Sequence, residues 1–352
     1  MDELEMLPIP LLEWYRDNAR ALPWRPRPGS GDRGDPYHVW VSEVMLQQTR
    51  VAAVLDYYAR FMEALPTVAD LARAEEDRLM KLWQGLGYYS RARNLQKAAR
   101  VVTDQLGGAF PDTYEGLLAL PGVGEYTAGA IAAIAFGLPE PAVDGNVLRV
   151  TARLTGDEGD ILRPETRRRM RAALARVIPR RAPGDFDQAM MDLGALVCLP
   201  NGAPLCGLCP ARAFCRARLE GRTDTLPVKA PKKARRVEER TVFLLFHQGR
   251  VALRRRPEKG LLAGLWEYPS APAPGDGALE DWGLSPLSLE DGGTGRHIFT
   301  HVEWHMTCRL GELPSPALPE GWTWAGREEL RRSYAVPSAF RCFRHLVEDR
   351  VR

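Results

Sequence analysis

Cysteine is sparse, with six in 352 residues, and four of the six crowd between Cys198 and Cys215. That distribution excludes the evenly spread disulfide framework of a small secreted domain and points to a metal or cluster site. Long apolar runs are missing as well. None approaches the roughly 18 residues of a membrane span, and the acidic start Met-Asp-Glu-Leu-Glu lacks the positive charge of a signal peptide, so a cytoplasmic protein with no membrane partner is expected. Charge of one sign is also lacking: 48 Lys and Arg against 45 Asp and Glu leave a net +3. A chain-wide polyanion coat is thereby excluded, and any nucleic-acid contact must rest on local basic clusters. Two exist, Arg163 to Arg181 and Lys229 to Arg236. A solvated helix face is the alternative for the first and a linker for the second. Internal repeats are absent.

The length suits two domains. Apolar spacings such as Val51, Val54, Leu55, Tyr58 and Leu95, Ala98, Ala99, Val102 predict helices from residue 11 to about 220, and strand-like alternation is scarce there. Gly and Pro punctuate the segments at Leu22-Pro23, Leu65-Pro66, Gly107-Gly108 and Phe110-Pro111. Residues 1–220 thus form an all-α region. The charged, Pro-containing stretch within 221–238 reads as a linker, and residues 239–352 as a smaller α+β domain. Thr241–Phe246, a turn at His-Gln-Gly-Arg and Val251-Ala-Leu-Arg suggest a hairpin. His297–Met306 alternates like one strand, Ser270–Gly277 reads as a loop, and Arg327–Arg332 and Ser338–Val347 look helical.

The segment Leu120-Pro-Gly-Val-Gly-Glu-Tyr-Thr127 lies between an apolar helix end and the small-residue run Ala128–Ala135. Gly122 and Gly124 allow positive φ, so the turn can aim N–H groups at an anion ahead of a helix N-terminus, a phosphate grip with no base information of its own. Beyond it, Asp144 stands in Val-Asp-Gly-Asn before a helical run, where it is either a helix N-cap or a reacting carboxylate. Glu43, among Trp40, Val44 and Leu46, is either a first-turn acid favoured by the helix dipole or a desolvated proton donor. Paired, the two carboxyls suit glycosidic chemistry, one protonating a leaving group and the other stabilising an oxocarbenium-like state. Cys198, Cys206, Cys209 and Cys215, with no interleaved histidine, could hold zinc or an iron–sulfur cluster. Trp24, Tyr88, Tyr89 and Gln47-Gln48 are either core residues or groups that enter a base stack, and Tyr88 stands in a Gly-Leu-Gly-Tyr-Tyr turn.

In this order the segments resemble the adenine DNA glycosylases of the helix-hairpin-helix superfamily, the MutY family, followed by its appended Nudix-like domain. The likeness runs from Leu22-Pro-Trp-Arg25 through Ser-Glu-Val-Met-Leu-Gln-Gln-Thr, Gly-Leu-Gly-Tyr-Tyr, Leu-Pro-Gly-Val-Gly, Val-Asp-Gly-Asn and Gln188-Ala-Met-Met-Asp-Leu-Gly-Ala195 to the cysteines. It implies a monomer that binds double-stranded DNA, flips adenine out from opposite 8-oxoguanine or guanine, and removes it hydrolytically. Glu43 would protonate the adenine ring nitrogen and Asp144 would stabilise the deoxyribosyl cation, with Asn146 in support. Trp24, Arg25, Leu46 and Gln188 would line the adenine pocket. Gln48, Thr49, Leu86, Gly87 and Tyr88 would probe the opposite base and fill the gap. Phe299, Thr300 and His301 would form the lesion-reading loop, and the four cysteines would bind a 4Fe-4S cluster.

Tyr126 separates this family from the similar endonuclease III enzymes, whose lysine at that position forms a Schiff base and cleaves the strand. The resemblance therefore implies base removal alone, with Tyr126 bonded to Asp144 or the sugar. An endonuclease III-like glycosylase/lyase, a non-catalytic DNA-binding protein and a nucleotide-pool hydrolase are the competing readings. The last is opposed by the missing Glu-rich Nudix box after Gly264-Leu-Trp-Glu-Tyr-Pro269. Three departures stand out: seven residues in the first cysteine gap where six are expected, which requires a bulge at Leu199–Leu205; an insertion at Pro26–Asp35; and threonine for serine at Thr300.

Overall fold

The computed structural model describes residues 3–231 and 234–352. Lys232 and Lys233 of the second basic cluster, and Met1 and Asp2 of the acidic start, lie outside the described residues. The helices are α1 (Pro8–Asn18), α2 (Pro36–Leu46), α3 (Val51–Ala64), α4 (Val68–Arg73), α5 (Glu76–Leu82), α6 (Ser90–Gln105), α7 (Tyr114–Leu118), α8 (Glu125–Phe136), α9 (Gly145–Thr155), α10 (Pro164–Val177), α11 (Pro183–Leu196) and α12 (Arg216–Leu219). A mixed sheet follows: β1 (Arg236–His247), β2 (Arg250–Arg255), β3 (Trp266–Glu267), β4 (Ser270–Pro272), β5 (Leu289–Ile298), β6 (Val302–Glu312) and β7 (Trp322–Ala325). Helices α13 (Ala278–Asp281), α14 (Arg327–Arg332) and α15 (Arg344–Glu348) accompany it. No helix among the described residues is long and apolar enough to cross a membrane.

The chain divides into two compact units, Met1–Arg73 with Asn94–Pro231 and Ala74–Arg93 with Lys232–Arg352. In the first, α8 runs through the interior. Thr127 to Ala135 are all buried, and their small side chains let neighbouring backbone come close. A Cβ on Gly129 would meet the Pro141 carbonyl at 2.8 Å, so glycine there admits the segment that leads to Asp144. Leu7, Leu11 and Tyr15 of the N-terminal helix region pack on Val147, Val150 and Leu154 of α9 and on Phe186 and Leu193 of α11. Each such buried side chain contributes about 1.5–3 kcal/mol of transfer free energy, enough to hold α9 and α11 in fixed register.

The second unit is built on β1, parallel to β6 and antiparallel to β2 and β4. Strand periodicity sends Val242, Leu244 and Phe246 to one core and Phe243 and Leu245 to another, so the sheet is covered on both faces. Segment Ala74–Arg93 groups with this unit although the pattern places it among the helices. Lys81 Nζ donates to the Leu330 and Tyr334 carbonyls at 2.8 and 3.2 Å, and Gln84 Nε2 to Val336 O at 2.6 Å. Three local expectations change. β1 begins at Arg236, inside the predicted linker, because its charged start pairs with β6. Ser270–Pro272 is not loop but an edge strand on β1. His297–Met306 is not one strand: β5 ends at Ile298, β6 starts at Val302, and Phe299 N–H bonds Val302 O at 2.8 Å across the turn that carries Thr300 and His301. Alternation continues through so tight a turn, which is why the pattern conceals it.

Candidate functional site

Helix α2 starts where Asp35 Oδ1 accepts the Tyr37 and His38 N–H groups at 2.8 and 3.1 Å and Pro36 takes the first position. The end of the segment Pro26–Asp35 thus supplies a cap. Glu43 stands well beyond the first turn, so the dipole explanation does not apply. It is 3% exposed, and the Tyr126 hydroxyl donates to its Oε2. The phenol pairs with Glu43, therefore, and not with Asp144; the same hydroxyl also lies 3.4 Å from Met191 Sδ.

Asp144 does cap α9, and its Oδ1 accepts the Val147 N–H at 2.7 Å. Its Oδ2 accepts Asn146 Nδ2 at 2.9 Å. Asn146 Oδ1 takes Arg149 Nη2 at 2.8 Å, and Arg149 Nε reaches Cys198 O at 2.8 Å. One turn on, Arg153 Nη1 donates to Leu199 O at 2.8 Å and lies 3.3 Å from Cys198 Sγ. Helix α9 therefore ties the aspartate at its N-terminus to the cysteine loop through a continuous hydrogen-bonded row. That loop closes on itself where Leu205 N–H bonds Val197 O at 2.9 Å.

Glu43, Tyr126, Asp144 and Asn146 line one cavity of about 1000 Å³, together with Arg25, Leu46, Gln48, Thr49, Gly122 and Gly124. Five arginines, Arg20, Arg25, Arg50, Arg167 and Arg171, line it against the acids Glu43, Glu125 and Asp144, a balance that suits an anionic ligand. Arg167 and Arg171 bring the first basic cluster to the site. Of the two hairpin glycines only Gly122 has positive φ, 73°; Gly124 is the extended N-cap of α8, φ −97°. A Cβ on Gly122 would also fall 2.5 Å from Asn94 Cβ. Gln48, at φ 60°, and Tyr88, at φ 47°, hold left-handed backbone that their side chains disfavour, as occurs at functional sites.

Other expected positions lie elsewhere. Trp24 and Gln188 are buried at 4% and 1% exposure and do not line the cavity. Trp24 packs edge-to-face on Tyr58 with centroids 4.9 Å apart. Gln188 Nε2 bonds Gly184 O at 3.1 Å, while its Oε1 and Trp24 Nε1 are buried without a partner among the described residues. Leu86, Gly87, Tyr88, Phe299, Thr300 and His301 belong to the other unit, where the Tyr88 and Thr300 hydroxyls bond each other. Tyr89 is buried. Reading by motif missed Arg20 and Asp192. Asp192, one turn beyond Gln188, accepts from Arg20 Nε at 2.8 Å and Arg25 Nη1 at 2.9 Å. It also missed Asp187, a buried acid that accepts the Ala142 N–H at 3.0 Å.

Burial raises the Glu43 carboxyl above its ordinary range, against the Tyr126 hydrogen bond and the Arg25 charge, while the Asp144 charge adds to the rise. Burial raises Asp144 too, opposed by the Val147 and Asn146 bonds. A folded-state pKa above the unfolded value means the native state keeps a proton that the unfolded chain has released. Stability from that group is present below the unfolded pKa and declines as pH climbs towards the raised folded one. Glu43→Gln, which cannot ionise, should melt about 2–4 °C above the parent near pH 7.5, with the gap closing near pH 4. A melting difference that is constant across that range would contradict the assignment.

Cys198, Cys209 and Cys215 pack against the α1–α9–α11 core. Among the described residues no group of three or more His, Cys, Asp or Glu is arranged to hold a metal ion. A tetrahedral zinc would need thiolates about 3.8 Å apart; a multi-iron cluster spans a wider set. Burial pushes the Cys209 thiol up to about 12, so four thiolates here require a cation.

Residues 41–180 match the HhH-GPD superfamily of base excision DNA repair proteins, and residues 241–345 match a NUDIX domain. The adenine DNA glycosylase of Rattus norvegicus is 37% identical over 401 aligned residues, covering 97% of this chain and 78% of that protein. A thermostable thymine-DNA glycosylase superposes with a TM-score of 0.55 at 27% identity, over 62% of this chain and 97% of its own. Endonuclease III trapped as a covalent intermediate with DNA gives 0.50 at 26% identity, over 62% and 98%.

Proposed function

The chain belongs to the adenine DNA glycosylases of base excision repair, and we propose that it removes adenine mispaired with 8-oxoguanine or guanine, by hydrolysis alone. As a DNA glycosylase it binds DNA. One observation carries the chemical reading: a buried carboxyl, Glu43, and a half-buried one, Asp144, share a cavity with the Tyr126 phenol, and among the described residues no lysine lines it. Glu43, whose protonated form burial favours, donates to the ring nitrogen of a flipped adenine and turns it into a leaving group. Asp144, held by Val147 N–H and Asn146, faces the positive charge that develops on the deoxyribose as the glycosidic bond opens. Water then attacks the anomeric carbon of the sugar, and the proton it sheds returns to the Glu43 carboxylate, which regenerates the acid. Tyr126 offers a hydroxyl where a lyase needs an amine, so no Schiff base forms and the strand survives.

Gln188 Oε1, which has no partner among the described residues, is the acceptor proposed to meet a base edge, although in this structure it does not line the cavity. Gln48 and Thr49 at the cavity, and the Tyr88–Thr300 pair in the other unit, are the groups proposed to read the opposite 8-oxoguanine. The four cysteines are proposed to hold a 4Fe-4S cluster, which would anchor the loop that Arg149 and Arg153 grip. Iron and acid-labile sulfide in equal amounts in the purified protein, both lost in Cys206→Ser, are the expected assay result.

The deciding experiment incubates the protein with a labelled duplex bearing A opposite 8-oxoguanine, before and after alkali. Strand breaks should appear only after alkali. Breaks without alkali, with a borohydride-trapped adduct, would favour a lyase, and binding without any base release would favour a non-catalytic protein.

A further inference from the structure

Asp192 is a fully buried carboxylate on α11, its side chain 0% exposed, and it faces two guanidinium groups at once. Its Oδ2 accepts the Arg20 backbone N–H at 3.0 Å, and Oδ1 takes Arg20 Nε and Nη2 at 2.8 and 2.6 Å. Arg25 Nη1 lies 2.9 Å from both oxygens. Arg25 is itself almost buried, with a side chain 6% exposed, and both arginines line the cavity beside Glu43. One negative charge thus holds two positive ones against the wall of the site.

We propose that Asp192 is a positioning residue for base removal, which clamps Arg20 and Arg25 and offsets their charge so that Glu43 keeps a proton to give. The inference rests on the reading of Glu43 as the acid. Around Glu43 stand Tyr126 from α8, Asp144 at the start of α9, Asp187 from α11, and Arg20 and Arg25 from the connection before α2, with Asp192 bound to the two arginines and with Arg50, Glu125, Arg167 and Arg171 lining the same cavity. Arg25 and Arg20 both pull Glu43 towards ionisation, and Asp144 pushes it back. An uncompensated cation beside a carboxyl lowers its titration by about 1–3 pH units. Loss of the Asp192 charge therefore leaves two free guanidinium groups to ionise Glu43 at the pH where it must donate. They would also oppose the positive charge on a protonated adenine.

A purely structural role, pinning residues 20–25 to α11, makes a different prediction. It costs the same factor at every pH. The test measures single-turnover adenine release by the full chain from a duplex with A opposite 8-oxoguanine, between about pH 5 and pH 9. Asp192→Asn should lose at least about tenfold near pH 8 and less than about threefold near pH 5.5, with its alkaline limb moved down by about one pH unit or more. Asp192→Glu should restore most of the parent profile. Arg25→Gln, which removes one cation and leaves Asp192 with Arg20, should move the limb the opposite way, and it tests the idea even where Asp192→Asn folds poorly. An equal loss at all pH values in Asp192→Asn, or an unmoved limb in Arg25→Gln, overturns the proposal. Glu43→Gln measured alongside separates the two layers. Parent-like release by that variant defeats the acid assignment itself, whereas an inactive Glu43→Gln beside pH-independent Asp192→Asn defeats only this inference.

Discussion

Glu43→Gln is expected to lower the single-turnover rate of adenine release by about 10²–10⁴-fold while duplex affinity changes by less than about threefold. The amide matches the carboxyl in size, so the cavity keeps its shape and Leu46, Arg25 and Met191 keep their places along it. The Tyr126 hydroxyl, which now donates to Oε2, finds an amide oxygen in the same position. What disappears is the proton. Adenine leaves as an anion unless a ring nitrogen is protonated, and a glutamine has nothing to give at any pH, so acidification should restore little of the rate. Its alkaline limb should vanish with the group that titrates. The substitution is expected to stabilise the fold at neutral pH, as argued from its burial, so inactivity cannot be attributed to unfolding. Release at the parent rate would remove Glu43 from the mechanism.

Tyr126 and Glu43 are 83 positions apart, and that separation shows what a linear chain conceals. Glu43 stands out by its local setting, an acid among Trp40, Val44 and Leu46, whereas Tyr126 stands out through the resemblance, as a tyrosine where endonuclease III enzymes carry lysine. Their bond depends on the packing of α2 against α8, which apolar spacing foretells only as burial. Arg20 and Asp192 are harder still. An arginine ahead of Leu-Pro-Trp and an aspartate inside Gln-Ala-Met-Met-Asp look like ordinary polar residues until the fold sets them 2.6 Å apart. Asp144 was legible as a cap, and the same position ahead of α9 sets its carboxyl on the cavity wall. The hairpin was legible as a Gly-rich turn ahead of a helix but not in its dihedrals, since Gly124 needs no positive φ once it serves as the N-cap of α8. The turn at Phe299–His301 was hidden because strand alternation reads straight through it, and the grouping of Ala74–Arg93 with the sheet was hidden because it depends on donations from Lys81 and Gln84 to distant carbonyls.

The cap geometry makes Asp144→Asn a clean substitution. Asparagine caps a helix about as well as aspartate, and its side-chain oxygen can still accept the Val147 N–H that Oδ1 now takes at 2.7 Å. The melting temperature should therefore stay within about 2 °C of the parent, or rise slightly because a half-buried carboxyl with a raised pKa is gone. The reaction should not survive so well. As the glycosidic bond stretches, positive charge gathers on the sugar in a site partly shielded from water, where one facing carboxylate is worth about 3–4 kcal/mol, or about 10²–10³ in rate. The amide supplies neither the charge nor a competent nucleophile, so any route through a covalent adduct closes as well, and the loss should reach or exceed the top of that range. Asp144→Glu tests placement: the charge remains, but the longer arm leaves the cap, costing about 1 kcal/mol of stability and displacing the oxygen that Asn146 Nδ2 now holds at 2.9 Å. The expected order of rates is parent, then Asp144→Glu, then Asp144→Asn, while the order of stability places Asp144→Glu last. If Asp144→Asn retained release within about tenfold of the parent, Asp144 would be a cap and nothing more.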